Sequence, residues 1–377
     1  MTKRTGTAAP VLTTRALNRA FLDRQLLLRR SGMSAADAVE HLVGLHAQLP
    51  KVPYYALRAR LADFRPEELS DLLASRRTVR IALQRSTLHM VTARDCLALR
   101  PLLQDVQERR FRASFRKRAE GVDLARLAEV SFGLLEERPL TFSELGAALA
   151  ELWPAHDRLA LSMAARALLA LVQVPPRGLW GQGGLARHTT VEQWLGEAPG
   201  EPSAEDLEAM LERCLAAFGP ASAGDMQIWS GLTGLREVVD RMRPRLRTFR
   251  DEHGTELFDV PDGPLPDPET PAPVRFLPEF DNLFLSHRDR TRVIADAFRA
   301  RTWKGNQAFS VFLADGFIRG VWRIEKERRG AAAVLVAEPF EPLSRAEHEG
   351  VEEEGAHLLD FAAPGAVHEV RVTGSGR

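Results

Sequence analysis

Three stretches of the chain repeat one order of elements, short helices followed by two short strands around a turn. The third stretch shows this order most simply, with helices predicted at 203–218, 222–229 and 234–242 and a hairpin of strands at 245–250 and 256–260. Three helices followed by a β-hairpin is the order of a winged helix-turn-helix. The sequence therefore predicts an α+β fold with three tandem winged helix-turn-helix domains.

Shifts in composition divide the chain into domains. Residues 196–202 have the composition of a linker, and residues 261–273 contain six prolines, which is typical of an extended connection. Beyond this connection, strand-like segments and a helix at 344–361 predict a separate C-terminal β-rich domain. The predicted domains are 1–121, which carries the candidate catalytic loop, 122–200, 201–264 and 272–377.

Periodicity within these domains makes more detailed predictions. Residues 92–118 have the pattern of one long basic helix, and residues 157–172 that of a second long helix. The wing after this second helix is predicted to consist of strands at 179–180 and 185–190. Residues 275–285 are strand-like throughout.

The composition argues against several classes of protein. No apolar stretch approaches the ~20 residues of a membrane-spanning helix, and residues 1–10 lack the apolar core of an export signal. The two cysteines, Cys96 and Cys214, are far apart, and the histidines form no HExxH pair. We therefore predict a cytoplasmic, nucleoid-associated monomer that needs no metal and no cofactor.

The formal net charge is zero, but the charges are unevenly distributed. Residues 1–120 contain 23 Lys and Arg against 11 Asp and Glu, whereas residues 121–377 contain 28 against 40. Of the 51 basic residues 46 are arginine, the side chain suited to bidentate phosphate contacts. A basic N-terminal third is compatible with nucleic-acid binding, and a solvated charged surface explains the same numbers.

The segment 44–50 is the main candidate for catalysis. His46 and Gln48 stand two residues apart where a helix is predicted to end, and an extended backbone would place both side chains on one side. Both can hold a water by hydrogen bonds, and a neutral histidine can also accept its proton. The alternative is structural, a histidine and a glutamine that cap neighbouring carbonyl groups.

Basic side chains supply candidate phosphate contacts. Arg236 and Arg241 lie on the last predicted helix of the third winged domain, where the recognition helix of such a module is expected. Arg288 and Arg290 belong to a dense basic patch, which is either a phosphate clamp or a solvated turn.

Two carboxylates precede this patch. Glu279 and Asp281 are separated by two residues, so on a strand they would share a face that suits general acid–base chemistry. A surface turn closed by an Asx hydrogen bond at Asp281 is the alternative. We keep Asp281 as a supporting residue of the candidate site.

Several runs, in order along nearly the whole chain, resemble the winged-helix family of AlkZ/YcaQ-like bacterial DNA glycosylases. These runs are 45–48, 55–61, 85–91, the wing at 179–195 and 277–290. The resemblance implies three winged helices and a β-rich C-terminal domain, arranged as a C-shaped clamp around double-stranded DNA. It also implies hydrolytic removal of N7-alkylated purines, often bulky or crosslinked. Arg58, Arg85 and Arg187 lie in these runs and are assigned to DNA binding.

The family's catalytic signature is Gln-x-Gln or Gln-x-Asp, and His46-Ala47-Gln48 aligns with it. The resemblance therefore implies catalytic roles for His46 and Gln48, and it places the His-x-Gln form among members tied to resistance against alkylating natural products. An N7-alkylguanine is positively charged, so its glycosidic bond is weak and the base leaves without protonation. We hypothesise that Gln48 orients the attacking water while neutral His46 accepts a hydrogen bond or the proton. Activity is then expected to fall below the ordinary pKa of histidine, about 6.5.

Two other functions fit the same modules. A DNA-binding regulator would use the winged helices for sequence-specific binding without catalysis. A non-catalytic scaffold would bind protein through the acidic C-terminal two thirds, and its weak DNA binding would lack the steep salt dependence of phosphate contacts. The formation of abasic sites in duplex DNA that contains N7-methylguanine separates a glycosylase from both.

Overall fold

The computed structural model describes residues 9–326 and 331–374, and it has the predicted mixed α+β character. Helices and strands of residues 9–200 are, in chain order, β1 (Val11–Leu12), α1 (Thr14–Arg24), α2 (Ala35–His41), β2 (Leu45–His46), α3 (Val52–Arg60), α4 (Pro66–Ala74), β3 (Thr78–Ala82), β4 (Leu88–Thr92), α5 (Ala93–Leu102), α6 (Gln104–Phe115), α7 (Leu124–Glu137), β5 (Leu140–Thr141), α8 (Phe142–Leu152), α9 (Arg158–Leu168), β6 (Leu171–Val174), β7 (Arg187–Thr190) and α10 (Val191–Leu195).

The C-terminal half continues with five elements up to residue 260 and a strand-rich region after it. These elements are α11 (Ala204–Phe218), α12 (Ala223–Ser230), α13 (Leu235–Met242), β8 (Arg247–Asp251), β9 (Glu256–Asp259), β10 (Arg275–Leu277), α14 (Asn282–Leu285), α15 (Asp296–Arg299), β11 (Trp303–Lys304), β12 (Gln307–Ala308), β13 (Val311–Ala314), β14 (Phe317–Lys326), β15 (Ala332–Pro339), α16 (Arg345–Ala362) and β16 (Val367–Val372).

A six-stranded sheet joins the first two of the three repeated stretches. Its strand order is β2-β4-β3-β6-β7-β5, and all of its pairs are antiparallel. The two stretches meet at β3 and β6, where Ile81 pairs with Val172. Because β2 is an edge strand of this sheet, His46 at its end is placed by sheet pairing and not by a flexible loop. The division of this region into two domains stays a prediction.

The element order predicted for the third stretch is present. Helices α11, α12 and α13 precede the antiparallel pair β8–β9. Ser203 and Ser222 begin α11 and α12, and each forms a reciprocal capping box with the aspartate three residues later. Strand β1 adds to this hairpin in parallel beside β8, so the N-terminus of the described chain joins the third stretch. The number of winged helices in the chain stays a prediction.

The first strand predicted for the second wing, at 179–180, is wrong. Helix α9 ends at Leu168, four residues before the predicted end, and residues 171–174 form β6 instead. Residues 179–180 lie in the turn region between β6 and β7. The reason is tertiary, because β6 pairs with β3, which lies about ninety residues earlier. A helical period cannot show a pairing partner so far away in sequence.

Two other predicted elements are shorter than expected. The single helix over 92–118 is divided into α5 and α6 at Leu103, whose φ and ψ of −103° and 11° leave the helical region. The strand over 275–285 ends at Leu277, because Pro278 has no N–H to donate to a sheet. Asp281 then caps the short helix α14 by accepting a hydrogen bond from the backbone N–H of Leu283.

The C-terminal region is built on a five-stranded sheet of order β10-β13-β14-β15-β16, in which only the last pair is parallel. Helix α16 packs on this sheet, and a cluster of buried apolar side chains that includes Phe312, Leu335 and Leu359 fills the interface. Edge strand β10 leads directly into residues 278–282, which reach back to β2. In residues 9–326 and 331–374, no helix is long and apolar enough to cross a bilayer.

A buried ion pair ties the N-terminal helix to the third stretch. The Arg24 guanidinium donates to both carboxylate oxygens of Asp259, at 2.6 and 2.8 Å, and both side chains are buried. The same guanidinium donates to the carbonyl oxygens of Leu215 and Pro264. One side chain therefore connects α1, α11, β9 and the segment that follows β9.

We expect Asp259→Asn to destabilise the protein strongly, because it leaves the Arg24 guanidinium buried without a counter-charge. Breaking one partner of a buried pair costs about 3–5 kcal/mol of unfolding free energy. Urea denaturation followed by circular dichroism measures this loss. Asp296→Asn, which removes an exposed carboxylate, is the matched control and should change the free energy little. Equal stability of the two variants would contradict the structural role of the pair.

Candidate active site

Sheet pairing holds the His46 backbone on one side. Strand β2 pairs with β4, so that His46 lies opposite His89. The next peptide is also fixed, because the Ala47 N–H donates to the Leu88 carbonyl at 2.7 Å and the Ala47 carbonyl accepts from Arg80 Nη2 at 2.7 Å. Gln48 follows at the point where the chain leaves the sheet, and its side chain is exposed.

The His46 imidazole lies in an aromatic and amide environment. It stacks on Phe280, with ring centroids 5.1 Å apart and an interplanar angle of 22°, and it meets the edge of His89 at 5.4 Å. The Asn282 side chain connects the backbone of Gly44 with that of His46. Its Oδ1 accepts from the His46 N–H at 3.4 Å, and its Nδ2 donates to the Gly44 carbonyl at 2.9 Å. The imidazole is only 3% exposed. His46 and Gln48 therefore differ in exposure, although a fully extended backbone was expected to place both on one side.

Burial keeps the His46 imidazole neutral. Burial and, to a smaller extent, the positive charge of Arg85 together lower the pKa of His46 to about 3. The pKa of His89 is likewise well below its ordinary value, first because of burial and then because of its neighbours His46 and Arg85. The pKa of about 6.5 that an unperturbed histidine would have therefore does not apply to His46. His46 Nδ1 is buried and has no hydrogen-bond partner within residues 9–326 and 331–374.

Backbone strain is concentrated around the two histidines. Val43, Arg85, Ser86 and Phe280 have positive φ angles between 53° and 60°, in the region that side chains with a Cβ seldom adopt. Gly44, with φ of 94°, needs to be glycine, because a Cβ there would lie 2.7 Å from the Val91 side chain. Strained backbone of this kind persists where the surrounding structure holds it, and it occurs often at functional sites.

Asp281 is part of this framework and does not face solvent. Its carboxylate accepts two hydrogen bonds of 2.8 Å from the Arg60 guanidinium, and both side chains are fully buried. It also closes the Asx turn that was the structural alternative for this residue, through the Leu283 N–H. Glu279, in contrast, is partly exposed, so the two carboxylates do not form a shared acid–base face. Asp281 can support the site by fixing its neighbours.

The structure brings several predicted DNA-binding arginines together. Arg85 is half-buried and donates to the Trp229 carbonyl, and the nearby charge of Arg290 adds to burial in lowering its pKa to about 10. Arg288 is exposed, and it lines a cleft of about 580 Å³ together with Arg236. These four arginines lie on the segment after β3, on α13 and on the segment after α14.

Arg85 and Arg290 do not line this cleft, and Arg236 pairs with Asp240 and Glu256. The other three arginines also lie outside the cleft and have partners within the protein. Arg241 Nε is 3.4 Å from Glu208, and Arg187 Nη1 is 3.0 Å from Glu144. Arg58 is half-buried on α3 and donates to the carbonyl of His357 at 3.4 Å. The assignment of all seven arginines to DNA binding stays a prediction.

Sequence reasoning missed three residues that contact the candidate catalytic histidine: His89, Phe280 and Asn282. All three lie in runs that carried the family resemblance, at 85–91 and 277–290. Their spacing from His46, at 43 residues or more, gave no sign that they meet it. Only the pairing of β2 with β4, and the return of the chain after β10, bring them to one place.

The family model described as DNA glycosylase AlkZ-like matches residues 39–361. The chain belongs to this family. Among solved structures, the Streptomyces sahachiroi DNA glycosylase AlkZ is similar to this AlkZ-like chain, with a TM-score of 0.79 and 22% sequence identity. The similarity covers 96% of this chain and 100% of that chain, and at this identity it shows the fold alone. No curated protein sequence matches the chain. The resemblance inferred from the sequence is confirmed at the level of the family.

We expect the buried histidines to make the protein less stable as the pH falls from about 6.5 towards 4. Burial lowers the pKa of His46 to about 3 and of His188 to about 4, so both bind protons in the unfolded chain before they do so in the folded one. Each such group changes the unfolding free energy by up to about 1.4 kcal/mol per pH unit in this window.

Urea titrations at several pH values measure this dependence. His46→Gln should make it shallower, whereas the control His348→Gln, at an exposed histidine, should leave it unchanged. A pH dependence that is the same in all three proteins would contradict the assignment of the slope to buried imidazoles.

Proposed function

We propose that the protein is a monofunctional DNA glycosylase that hydrolyses the N-glycosidic bond of N7-alkylated purines in double-stranded DNA. Bulky and crosslinked adducts are included, in base-excision repair or in self-resistance to alkylating genotoxins. One observation carries the proposal: in a chain of the AlkZ-like family, the His46-Ala47-Gln48 triplet lies at a strained sheet edge, with an exposed carboxamide next to a neutral imidazole. The proposal includes three winged helices that clamp the duplex.

In this proposal, Gln48 is the residue that meets the DNA. Its exposed carboxamide holds a water near C1′ through its oxygen. The hydrogen-bonded peptide of Ala47 fixes the position of the Gln48 backbone from which this side chain extends. The departing N7-alkylated base needs no protonation, so the main task is to orient water and to stabilise an oxocarbenium-like sugar. No residue has to be ionised for this step.

His46 acts behind Gln48 as a neutral hydrogen-bond acceptor for the water, and the proton of the water passes to solvent. A protonated imidazole would oppose the positive charge that develops on the sugar, and burial prevents this protonation at ordinary pH. The stack on Phe280 and the bridge from Asn282 fix the plane of the ring. Arg85, Arg236, Arg288 and Arg290 would contact phosphates of the duplex.

We expect Gln48→Ala and His46→Ala to lose turnover while keeping DNA affinity. An oriented water and a positioned hydrogen-bond acceptor are expected to contribute about 10²–10⁴-fold each, so single-turnover rates should fall by about that factor. The measurement is the formation of abasic sites in a duplex that contains N7-methylguanine. His46→Gln restores the family's Gln-x-Gln triplet, and it should keep most of the activity.

The outcomes of this assay separate the candidate functions. Wild-type protein that binds this duplex but forms no abasic sites would favour a DNA-binding regulator. Wild-type activity with unchanged rates in both alanine variants would leave a glycosylase with a different catalytic site. Efficient excision of uracil, an uncharged and stably bonded base, would contradict the proposed dependence on a cationic leaving group.

We expect the rate of base release to be nearly constant between about pH 5 and 8. The proposal requires neutral His46, and its pKa of about 3 keeps the imidazole neutral over this whole range. Single-turnover rates in a series of buffers measure the profile. A decrease towards acid pH with an apparent pKa near 6.5, absent in His46→Gln, would show that His46 titrates and would contradict its burial in the DNA-bound protein.

A further inference from the structure

A cleft of about 910 Å³ opens beside the candidate active site. Residues 49–52, which directly follow Gln48, form one part of its lining, and Glu279 forms another. Glu279 is the neighbour of Phe280, which stacks on His46. The cleft therefore borders the two segments that hold the candidate pair, 49–52 after Gln48 and Glu279 before Phe280. Cavities of this size hold ligands as large as a nucleoside with a substituent.

The walls of the cleft are aromatic and firmly held. Tyr55 lies edge-on to Trp180 and is tilted against Trp322, with centroid distances of 6.0 and 5.9 Å. Trp180 is anchored by its backbone N–H, which donates to Ser70 Oγ at 3.0 Å. The neighbouring Tyr54 hydroxyl donates to the Gly178 carbonyl at 2.7 Å. These bonds fix the turn region between β6 and β7 against α3 and α4, so the aromatic surface exists before a ligand binds.

In the described part of the chain, the cleft is lined by one acidic side chain and several basic side chains. Glu279 is the only acidic residue among the described residues that line it, and residues 9–326 and 331–374 contain no ion pair to Glu279. Burial and, to a smaller extent, the negative charge of Glu279 together raise the pKa of Tyr55 to about 12. The described lining also has four basic residues: Lys51, Arg177, Arg323 and Lys326. Arg323 is paired with Glu325 and Glu338, and Lys326 donates to the Ala362 carbonyl.

We propose that this cleft receives the N7-alkylated purine itself, with its alkyl group, and that Glu279 recognises the positive charge of the alkylated ring. This assignment rests on the proposed glycosylase function. Alkylation at N7 gives the purine a positive charge that an unmodified purine lacks, and aromatic faces beside a carboxylate favour a flat cation over a neutral ring of the same shape. Basic side chains around the cleft suit the phosphates that flank the base.

Glu279 is a specificity-determining residue in this proposal and not a catalytic one. The positive charge is on the purine before the glycosidic bond breaks, and it moves to the sugar as the bond breaks. A carboxylate that contacts the purine therefore stabilises the bound substrate, so its loss should raise KM more than it lowers kcat. To enter the cleft the base has to leave the stack of the duplex, as it does in enzymes that extrude their target base.

Nucleoside binding tests the cleft without DNA. Titration of the full-length protein at about pH 6 with N7-methylguanosine, a cation, and with guanosine, its neutral counterpart, can be followed by tryptophan fluorescence, because Trp180 and Trp322 line the cleft. We expect the wild-type protein to bind the cation about tenfold more tightly. Glu279→Gln should abolish most of this difference, whereas Glu349→Gln, a control that removes an exposed carboxylate on α16, should preserve it.

The same variants tested on duplex DNA complete the experiment. Glu279→Gln is expected to raise KM for the N7-methylguanine duplex about tenfold, with kcat within about threefold of wild type. Unchanged KM and unchanged nucleoside preference, in a wild-type protein that forms abasic sites, would overturn the assignment and leave the glycosylase proposal intact. Wild-type protein that forms no abasic sites would overturn both. If Glu279→Gln does not fold, the titration of wild-type protein still tests the assignment. Equal affinities for N7-methylguanosine and guanosine would overturn it and would leave the glycosylase proposal intact.

Discussion

The buried contact between Arg60 and Asp281 is the interaction on which the candidate site depends. It joins the end of α3, in the N-terminal part of the chain, to the segment that follows β10. Two charges without access to water cost much free energy unless both are fully paired, and here the guanidinium also reaches the Ala56 carbonyl and the Gln25 side chain. Such a pair contributes little net stability, but it allows only one geometry.

That geometry places two neighbours of Asp281 against β2, the strand that carries the candidate catalytic residue His46. Phe280 takes a strained conformation with φ of 58° and stacks on His46, and Asn282 bridges the backbone of Gly44 and His46. The result is an imidazole that is almost free of solvent and therefore neutral. A histidine in the first position of the triplet thus resembles a glutamine in charge. Burial is the physical reason why the departure from the family's Gln-x-Gln signature is compatible with the same chemistry.

In the folded protein, part of the arginine content of the N-terminal third is buried and is not available to DNA. An excess of arginine in the N-terminal third is compatible with phosphate binding, yet Arg19, Arg60 and Arg80 are among the largest fully buried side chains of the described chain. Arg80 donates to the Ala47 carbonyl, next to the catalytic residues, and so acts as a structural donor. Part of the arginine content therefore holds the site together from inside, and counts of basic residues overstate the surface that is available to DNA.

The sequence by itself determined the elements that depend on local interactions. Capping pairs such as Ser203 with Asp206 predict helix starts, because both partners lie within one turn, and they are present in the structure. The order of motifs likewise identified the family. Only the tertiary structure decided where β6 begins, where residues 278–282 pack after they leave the sheet, and that His46 is buried while Gln48 is exposed. Each of these depends on partners between about forty and two hundred and forty residues away, and such pairings leave no period or spacing in the sequence.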